Sequence, residues 1–523
     1  MMAGGNVWAT TLQLGALLAL LIAVLWRLAW RPRAVARSFA RQGILGPPYA
    51  FLTGSLLEAK RLAAAGRIGV PPLDAASHDI MPLVLPVVHT WTAEYGKTLL
   101  YWIGPTPAIL STDLQLVKQV LTERTGLFQK DYMLPLVKVI FDNGLVLVNG
   151  QDWKRHRKVV RPAFNHEKLK SMSAVTAEVT EQMLKLWHEQ ILQSSDGQSA
   201  EIDVNSAMCE LTKQTISRVA FGTGHREAGE VNFLLHEMQK HASAGMLDSP
   251  ILWHLPTRRN RQMRHVDKLL RTKIMAMIQA RVAAKSGKGS GYGDDLLGLM
   301  LDAWSPERQG RSETLLSTQE VIGECKTFFG AGQETTATLL VWTMFLLSTH
   351  PKWQEKVREE VIHEFGREIP NADDVSKLKL LHMVLLETLR LYPPIVYIQR
   401  TAASDVKLRG INVPRGTVIS IPIGILHRDK EVWGSDADEF NPMRFQNGVS
   451  RAAKDPNALL SFSLGQRSCI GQSFSIIQAQ VIMAMILRKF SFSLSPAYVH
   501  KPKYLLSLAP KSGMPLIFRN LDA

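Results

Sequence analysis

Phe462-Ser-Leu-Gly465-Gln-Arg467-Ser-Cys469-Ile-Gly471 sets one cysteine on a glycine-punctuated loop just ahead of an apolar run. From Gln472 to Leu487 the spacing of Phe474, Ile477, Val481, Ile482 and Met485 predicts a helix. The sulfur therefore falls near a positive helix N-terminus, which favours the ionised thiolate. Gly465 and Gly471 let the backbone turn tightly and approach a flat group where a Cβ would clash. Arg467 is a planar, permanently charged fork suited to a carboxylate, and Phe462 can shield the sulfur from water. An isolated cysteine is most often an ordinary buried residue. Each part of this loop also suits a thiolate bound to haem iron.

The chain around this loop has 523 residues, 46% hydrophobic and 20% charged, which is a globular composition with room for a large core. Lys and Arg number 61 against 46 Asp and Glu, a formal charge of +15 that suits an acidic partner, an anionic membrane surface or nucleic acid. No nucleic-acid module supports the last of these. Cys209, Cys325 and Cys469 are too few and too far apart for a disulfide framework or a zinc pair.

Val7 to Trp26 is uncharged and long enough to cross a bilayer as a helix, which takes about 20 residues. Arg27, Arg31, Arg33, Arg37 and Arg41 follow, so the positive-inside rule leaves the remainder in the cytosol. A cleaved signal peptide fits less well, because no basic residue precedes the apolar run. Gly46-Pro47-Pro48 cannot continue a helix. The expected organisation is an anchor over 1–28, a basic, proline-rich hinge over 29–50 and one domain over 51–523. Leu99–Ile103 and Pro107–Ser111 are expected as short strands, and the segment from about Thr125 to Val148 as an irregular loop over a pocket.

Asn149-Gly-Gln-Asp opens a helix on which Trp153 and Arg157 stand four apart, so an indole N–H and a guanidinium point together at one acidic group. Lys154, Arg155, Lys158 and Arg161 on the same helix form either a solvated face or a docking surface for an acidic electron donor. Helical periodicity continues over 168–284, broken at Asp248-Ser-Pro-Ile-Leu-Trp253 with a basic cluster just beyond it, and Lys285–Gly293 is a surface loop.

Ser317-Thr-Gln-Glu320 fits a capping box, and the helix it opens runs to His350, where Pro351 stops it, roughly 50 Å at 1.5 Å per residue. No charge occurs from Thr335 to His350, which marks a helix buried nearly all round. Its middle holds Gly330-Ala331-Gly332-Gln333-Glu334-Thr335-Thr336, small residues that leave space beside the helix. Thr335 is placed to bond the carbonyl of Ala331 and loosen the ladder. Glu387-Thr-Leu-Arg390 lies on another apolar helix, before Pro393-Pro394 and the later Phe440-Asn-Pro-Met-Arg444.

The chain is identified by these motifs, in this order, as a member of the cytochrome P450 superfamily, and it resembles the plant microsomal members that hydroxylate hormones, fatty acids and terpenoids. The resemblance implies a mainly α fold with a small β-rich lobe, preceded by one transmembrane helix. It implies haem b with Cys469 as axial thiolate and metal ligand. Trp153, Arg157, Arg400 and Arg467 are the implied propionate partners, and Phe462, Gly465 and Ala331 are further cofactor contacts. Glu334 and Thr335 are the implied acid and alcohol that manage protons. Glu387, Arg390 and Arg444 match a buried structural triad, with Met443 where the family often has a Glu, so that corner is expected to lose one partner. Dioxygen and NADPH are the implied co-substrates. Electrons would come through NADPH-cytochrome P450 reductase, with cytochrome b5 as a further donor, because no dinucleotide fingerprint follows a strand in this chain. The implied address is the endoplasmic reticulum membrane, single-pass, with a cytosolic catalytic domain and no nucleic-acid partner.

The implied reaction inserts one atom of dioxygen into an apolar small molecule. Phe141, Leu145, Phe328, Ala331, Ile395, Val396 and Leu505 are candidate pocket residues whose apolar character suits a fatty acid, terpenoid or hormone equally. A membrane-anchored haem protein that binds or senses without turnover would leave Glu334 and Thr335 without a purpose. An isomerase or peroxide-using enzyme on the same fold is expected to lack that pair.

Overall fold

From Thr11 to Leu25 the residues of the first helix are exposed. Helix α1 (Ala3–Leu25) carries no charged residue, continues through a π-helical turn at Trp26–Trp30, and passes into α2 (Arg31–Ala40) with Pro32 in its first turn. Pro is tolerated there because its missing N–H has no partner at a helix start. The basic stretch expected as a hinge is thus helical over most of its length, and the backbone leaves the helix only after Ala40. It is the one helix among the described residues long and apolar enough to cross a membrane. The computed structural model describes the chain except residues 1–2, 67–70, 132–134, 223–224, 244–252, 254, 286–290, 305–314, 367 and 522–523. The predicted break at Asp248–Trp253 and the centre of the Lys285–Gly293 loop lie mostly outside the described residues.

A five-stranded sheet forms the β-rich lobe. Strands β1 (Thr98–Ile103) and β2 (Thr106–Ser111) make the expected hairpin; β3 (Phe128–Gln129), β4 (Ile398–Ala402) and β5 (Val418–Ile421) complete the order β1-β2-β5-β4-β3. β2 runs parallel to β5, and every other pair is antiparallel. The segment expected as an irregular loop contains β3 and a short helix, α3 (Pro135–Phe141).

Helices dominate the rest: α4 (Gly150–Val160), α5 (His166–Leu192), α6 (Val204–Phe221), α7 (His225–Ser243), α8 (Arg258–Ala283), α9 (Thr318–Thr349), α10 (Lys379–Leu391) and α11 (Gln472–Lys489). The helical periodicity expected over 168–284 is interrupted by strand Ser199–Asp203, which pairs with Pro515–Asn520 and, through it, joins Phe490–Leu494. That strand is five residues long and its partner lies at the far end of the chain, so local pattern gives it no signature.

α9 is the axis of the fold. Ser317 and Glu320 form the predicted reciprocal capping box, and Pro351 opens the next helix rather than extending this one. Thr336 to Leu347 are buried without interruption, packed against α6, α10 and α11. The first half is different. Glu324 and Lys326 are fully buried there, matched by His156 from α4 at 2.5 Å and by Asp267 from α8 at 2.5 Å. Lys326 also donates to the Val139 carbonyl at the end of α3, which ties the segment over the pocket to α9.

Candidate active site

A cavity of about 840 Å³ lies between α9, the cysteine loop, α3 and the β-rich lobe. Its lining joins residues from distant parts of the sequence: Trp153, Arg157, Ala331, Glu334, Thr335, Phe462, Arg467 and Cys469 all border it. Of the candidate pocket residues, Phe141, Leu145, Phe328, Ala331, Ile395 and Leu505 line it. Val396 does not. It is fully buried in the hydrophobic core, its side chain turned from the cavity while that of Ile395 faces it.

The cysteine loop is fixed by its backbone. The Cys469 N–H donates to the Phe462 carbonyl at 2.9 Å, closing the loop, and α11 starts three residues later at Gln472. The sulfur is reached from the cavity although it lies deep in the protein. Burial pushes the thiol's pKa up; the Gly471 N–H and the charges of Lys130 and Arg157 act in the opposite direction. Gly465 departs from the expectation. It does not line the cavity; its φ is +69°, and a Cβ there would stand 2.5 Å from the Leu121 carbonyl oxygen. Glycine is required there by a close backbone approach to the neighbouring helix.

Trp153 collects cations. The Arg157 guanidinium lies 5.6 Å and that of Arg467 5.0 Å from its ring centroid. Arg157 also donates to the Ser468 carbonyl at 3.2 Å, joining α4 directly to the cysteine loop. Arg400 is buried in β4 and donates to the Gln399 carbonyl; it is not a lining residue, but its charge reaches the site. Lys130, which sequence reasoning missed, lines the cavity beside these three arginines. Its pKa is held well below the usual ammonium range by burial and then by Arg400 and Arg467. Arg155 is a correction. It is buried rather than solvent-facing, paired with Glu320 at 2.6 Å and Asp152 at 2.8 Å, whereas Lys154, Lys158 and Arg161 are exposed.

On the opposite wall, Thr335 Oγ1 donates to the Ala331 carbonyl at 2.7 Å as expected, yet α9 stays α-helical through the notch. Gly332 borders the cavity and also lets α6 approach, since a Cβ there would meet the Ile216 Cδ1 atom at 2.8 Å. The Glu334 carboxylate accepts from Gln239 Nε2 of α7 at 2.9 Å and from Ser507 Oγ at 2.6 Å. Burial raises its pKa despite both hydrogen bonds. Neither partner carried a sequence signal, because each lies far from Glu334 along the chain and belongs to no motif.

Behind the cysteine loop, Glu387 and Arg390 form a bidentate pair with both contacts at 2.7 Å and neither side chain exposed. The Arg444 guanidinium stands 3.7 Å from Glu387 and is held by Asp436 at 2.7 Å. The corner expected to lose a partner at Met443 therefore keeps a carboxylate, supplied by Asp436. His427, held neutral by burial with its pKa lowered to about 3, bonds the Arg390 carbonyl and accepts from the Leu460 N–H, so α10 supports the segment leading into Phe462.

These features fit a haem. A dianionic group would offset the cations crowded around Trp153, and Cys469 borders the cavity. Among the described residues no cluster of three His, Cys, Asp or Glu forms a metal cage. The fold and site together define a haem-thiolate enzyme class. The cytochrome P450 family model matches residues 85–516, and the chain belongs to that family. It is 40% identical to cytochrome P450 709B1 of Arabidopsis thaliana, over 95% of each chain. It is 36% identical to 11-oxo-beta-amyrin 30-oxidase of Glycyrrhiza uralensis, over 99% of each, and 38% identical to secologanin synthase 2 of Catharanthus roseus, over 96% of each. It is a cytochrome P450 monooxygenase that uses haem-thiolate iron and oxygen, takes electrons from a redox partner and binds small molecules.

Proposed function

We propose that this monooxygenase works at the endoplasmic reticulum membrane, anchored by α1, and hydroxylates an apolar small molecule of the fatty-acid, terpenoid or plant-hormone type. Electrons pass from NADPH through NADPH-cytochrome P450 reductase, with cytochrome b5 as a further donor. The observation that carries this reading is one predominantly apolar cavity bordered by Cys469 on one side and by Glu334 and Thr335 on the other. Haem bound there would supply dioxygen activation, with Cys469 as its thiolate ligand. Trp153, Arg157, Arg467 and Lys130 would hold the propionates, with the Arg400 charge alongside. Phe462 and the neighbouring apolar side chains exclude water from the sulfur. Thr335 presents a hydroxyl and Glu334 an acid for proton delivery at the cavity wall.

Phe141, Leu145, Phe328, Ile395 and Leu505 supply an apolar surface that selects by size and shape. Two relatives carry names for reactions on small molecules, 11-oxo-beta-amyrin oxidation and secologanin synthesis, which supports an organic skeleton of comparable size. Reduced, carbon-monoxide-treated microsomes containing the protein should absorb as thiolate-ligated haem does. Given a plant reductase and NADPH, they should convert one of a parallel set of fatty acids, gibberellins, cytokinins, brassinosteroids and triterpenoids. Thiolate-type absorption without any NADPH-dependent product, across a set extended to other apolar classes, would sink the monooxygenase-substrate reading.

A further inference from the structure

We propose that Gln239 and Ser507 are positioning residues that latch the Glu334 carboxyl where α7 meets the C-terminal hairpin and favour its carboxylate form. This inference rests on the reading of Glu334 as a proton carrier, and it explains two polar side chains at the Glu334 edge of a predominantly apolar cavity. Both partners donate to the same carboxyl group, one to each oxygen, at 2.9 Å and 2.6 Å. Ser507 is buried at the turn between strands Pro502–Tyr504 and Leu508–Pro510, and its oxygen lies 3.4 Å from the Thr338 hydroxyl one turn along α9. The Thr338 hydroxyl is itself held by the Glu334 carbonyl at 2.8 Å. The acid is thus gripped from an upper helix and from the hairpin, at the edge of the cavity that all three border.

Two opposing effects meet at this carboxyl. Burial disfavours the charge, and the two donors restore part of it. The other titratable groups acting here are His236 on α7, whose positive form favours the carboxylate, and the Cys209 thiol on α6, which burial and then Glu334 push up to about 12. Neither replaces a direct donor. A molecule seated against α7 and the hairpin would compete with the same two donors, so occupancy of the cavity and the readiness of Glu334 to ionise are linked at this latch.

The test uses the full-length holoprotein in detergent or nanodiscs. The protonated carboxyl of Glu334 is followed by infrared difference spectroscopy across pH, assigned by its disappearance in Glu334→Gln. Gln239→Leu and Ser507→Ala should each raise the midpoint, lowering the acid dissociation constant by about tenfold per lost hydrogen bond to a charged group. The double variant should shift it further, and Ser507→Thr, which keeps the hydroxyl, should return it toward the parent value. The pH profile of product formed per NADPH consumed should move in the same direction. Unmoved midpoints in the single variants, with the haem spectrum intact, overturn the latch. Each single variant is read by itself, so a double variant that fails to fold does not decide the outcome. The infrared midpoint needs no turnover; a parent protein that lacked monooxygenase activity would defeat the functional reading while the latch measurement still stood.

Discussion

The wall behind the cysteine and the wall facing it are built on different rules. The proximal side is nearly saturated. Glu387 and Arg390 exchange two hydrogen bonds in full burial, Asn441 N–H adds a third to Glu387, and His427 pins the strand of chain that leads to the cysteine loop. The distal side is an open cavity wall where one acid, Glu334, depends on single side chains from α7 and the C-terminal hairpin. Fixed geometry serves the ligand of a metal, because the sulfur has one correct position. A proton carrier has to change state during each cycle, so a weaker, replaceable grip suits it.

Variants can break that contrast in order of severity. Cys469→Ala should abolish both the thiolate-type reduced carbon-monoxide spectrum and turnover; a variant that kept the spectrum would remove Cys469 as the ligand. Glu387→Gln strips the charge from a buried pair and leaves Arg390 uncompensated, at a cost of about 3–5 kcal/mol. Since whole domains are stable by only about 5–15 kcal/mol, the yield of haem-loaded protein and its denaturation midpoint should both fall sharply. A distal substitution should leave them close to the parent.

Thr335→Ala should spare the haem spectrum and fold while productive turnover drops by about a hundredfold, the lower end of what a positioned proton-transfer group contributes. NADPH consumption should continue, so product per electron is the measurement that separates this from a folding defect. Unchanged coupling would place the proton route elsewhere.

The smallest effect sharpens the contrast instead of breaking it. Glu334 has a pKa raised in the fold, first by burial. A raised acid stabilises the fold fully below the unfolded value near 4.5 and loses that contribution as pH rises through the folded value. Glu334→Gln removes the titration. Its stability relative to the parent should therefore grow as pH increases from about 4.5 towards neutrality, as read in denaturation curves at several pH values. His156 of α4, packed against the first half of α9, shows the same pH dependence from the opposite cause, because its charged form is the one the fold favours. Burial disfavours its charge, but the hydrogen bonds and charges of Glu320 and Glu324 outweigh that and raise its pKa, so its contribution is present below about 6.5 and is lost above its folded value.

How far the site could be read in advance followed the same division. The cysteine loop, the Glu387–Arg390 pair, the capping box at Ser317 and the Thr335 back-bond to Ala331 are set by residues close together in sequence, where spacing fixes geometry. Arg155 was misplaced because the helical face it occupies is covered by Glu320, a residue of a different helix. Gly465 and Gly332 were right as glycines for reasons only neighbours supply, the Leu121 carbonyl and the Ile216 side chain. Strand Ser199–Asp203 needed its partner at Pro515–Asn520 to exist at all.

The sequence by itself determined the chemistry. A thiol on a tight loop, an acid and an alcohol in an apolar helix, an aromatic and cations at helical spacing, and an uncharged run followed by arginines are local patterns, and local covalent geometry dictates what they present. Tertiary structure alone decided which side chains hold Glu334, that Lys130 joins the cations around Trp153, and that Asp436 completes the corner at Arg444. Gln239 and Ser507 stand 95 and 173 residues from Glu334 along the chain. No spacing rule spans such distances, and only the packing of α7 and the C-terminal hairpin around α9 brings their donors to one carboxyl.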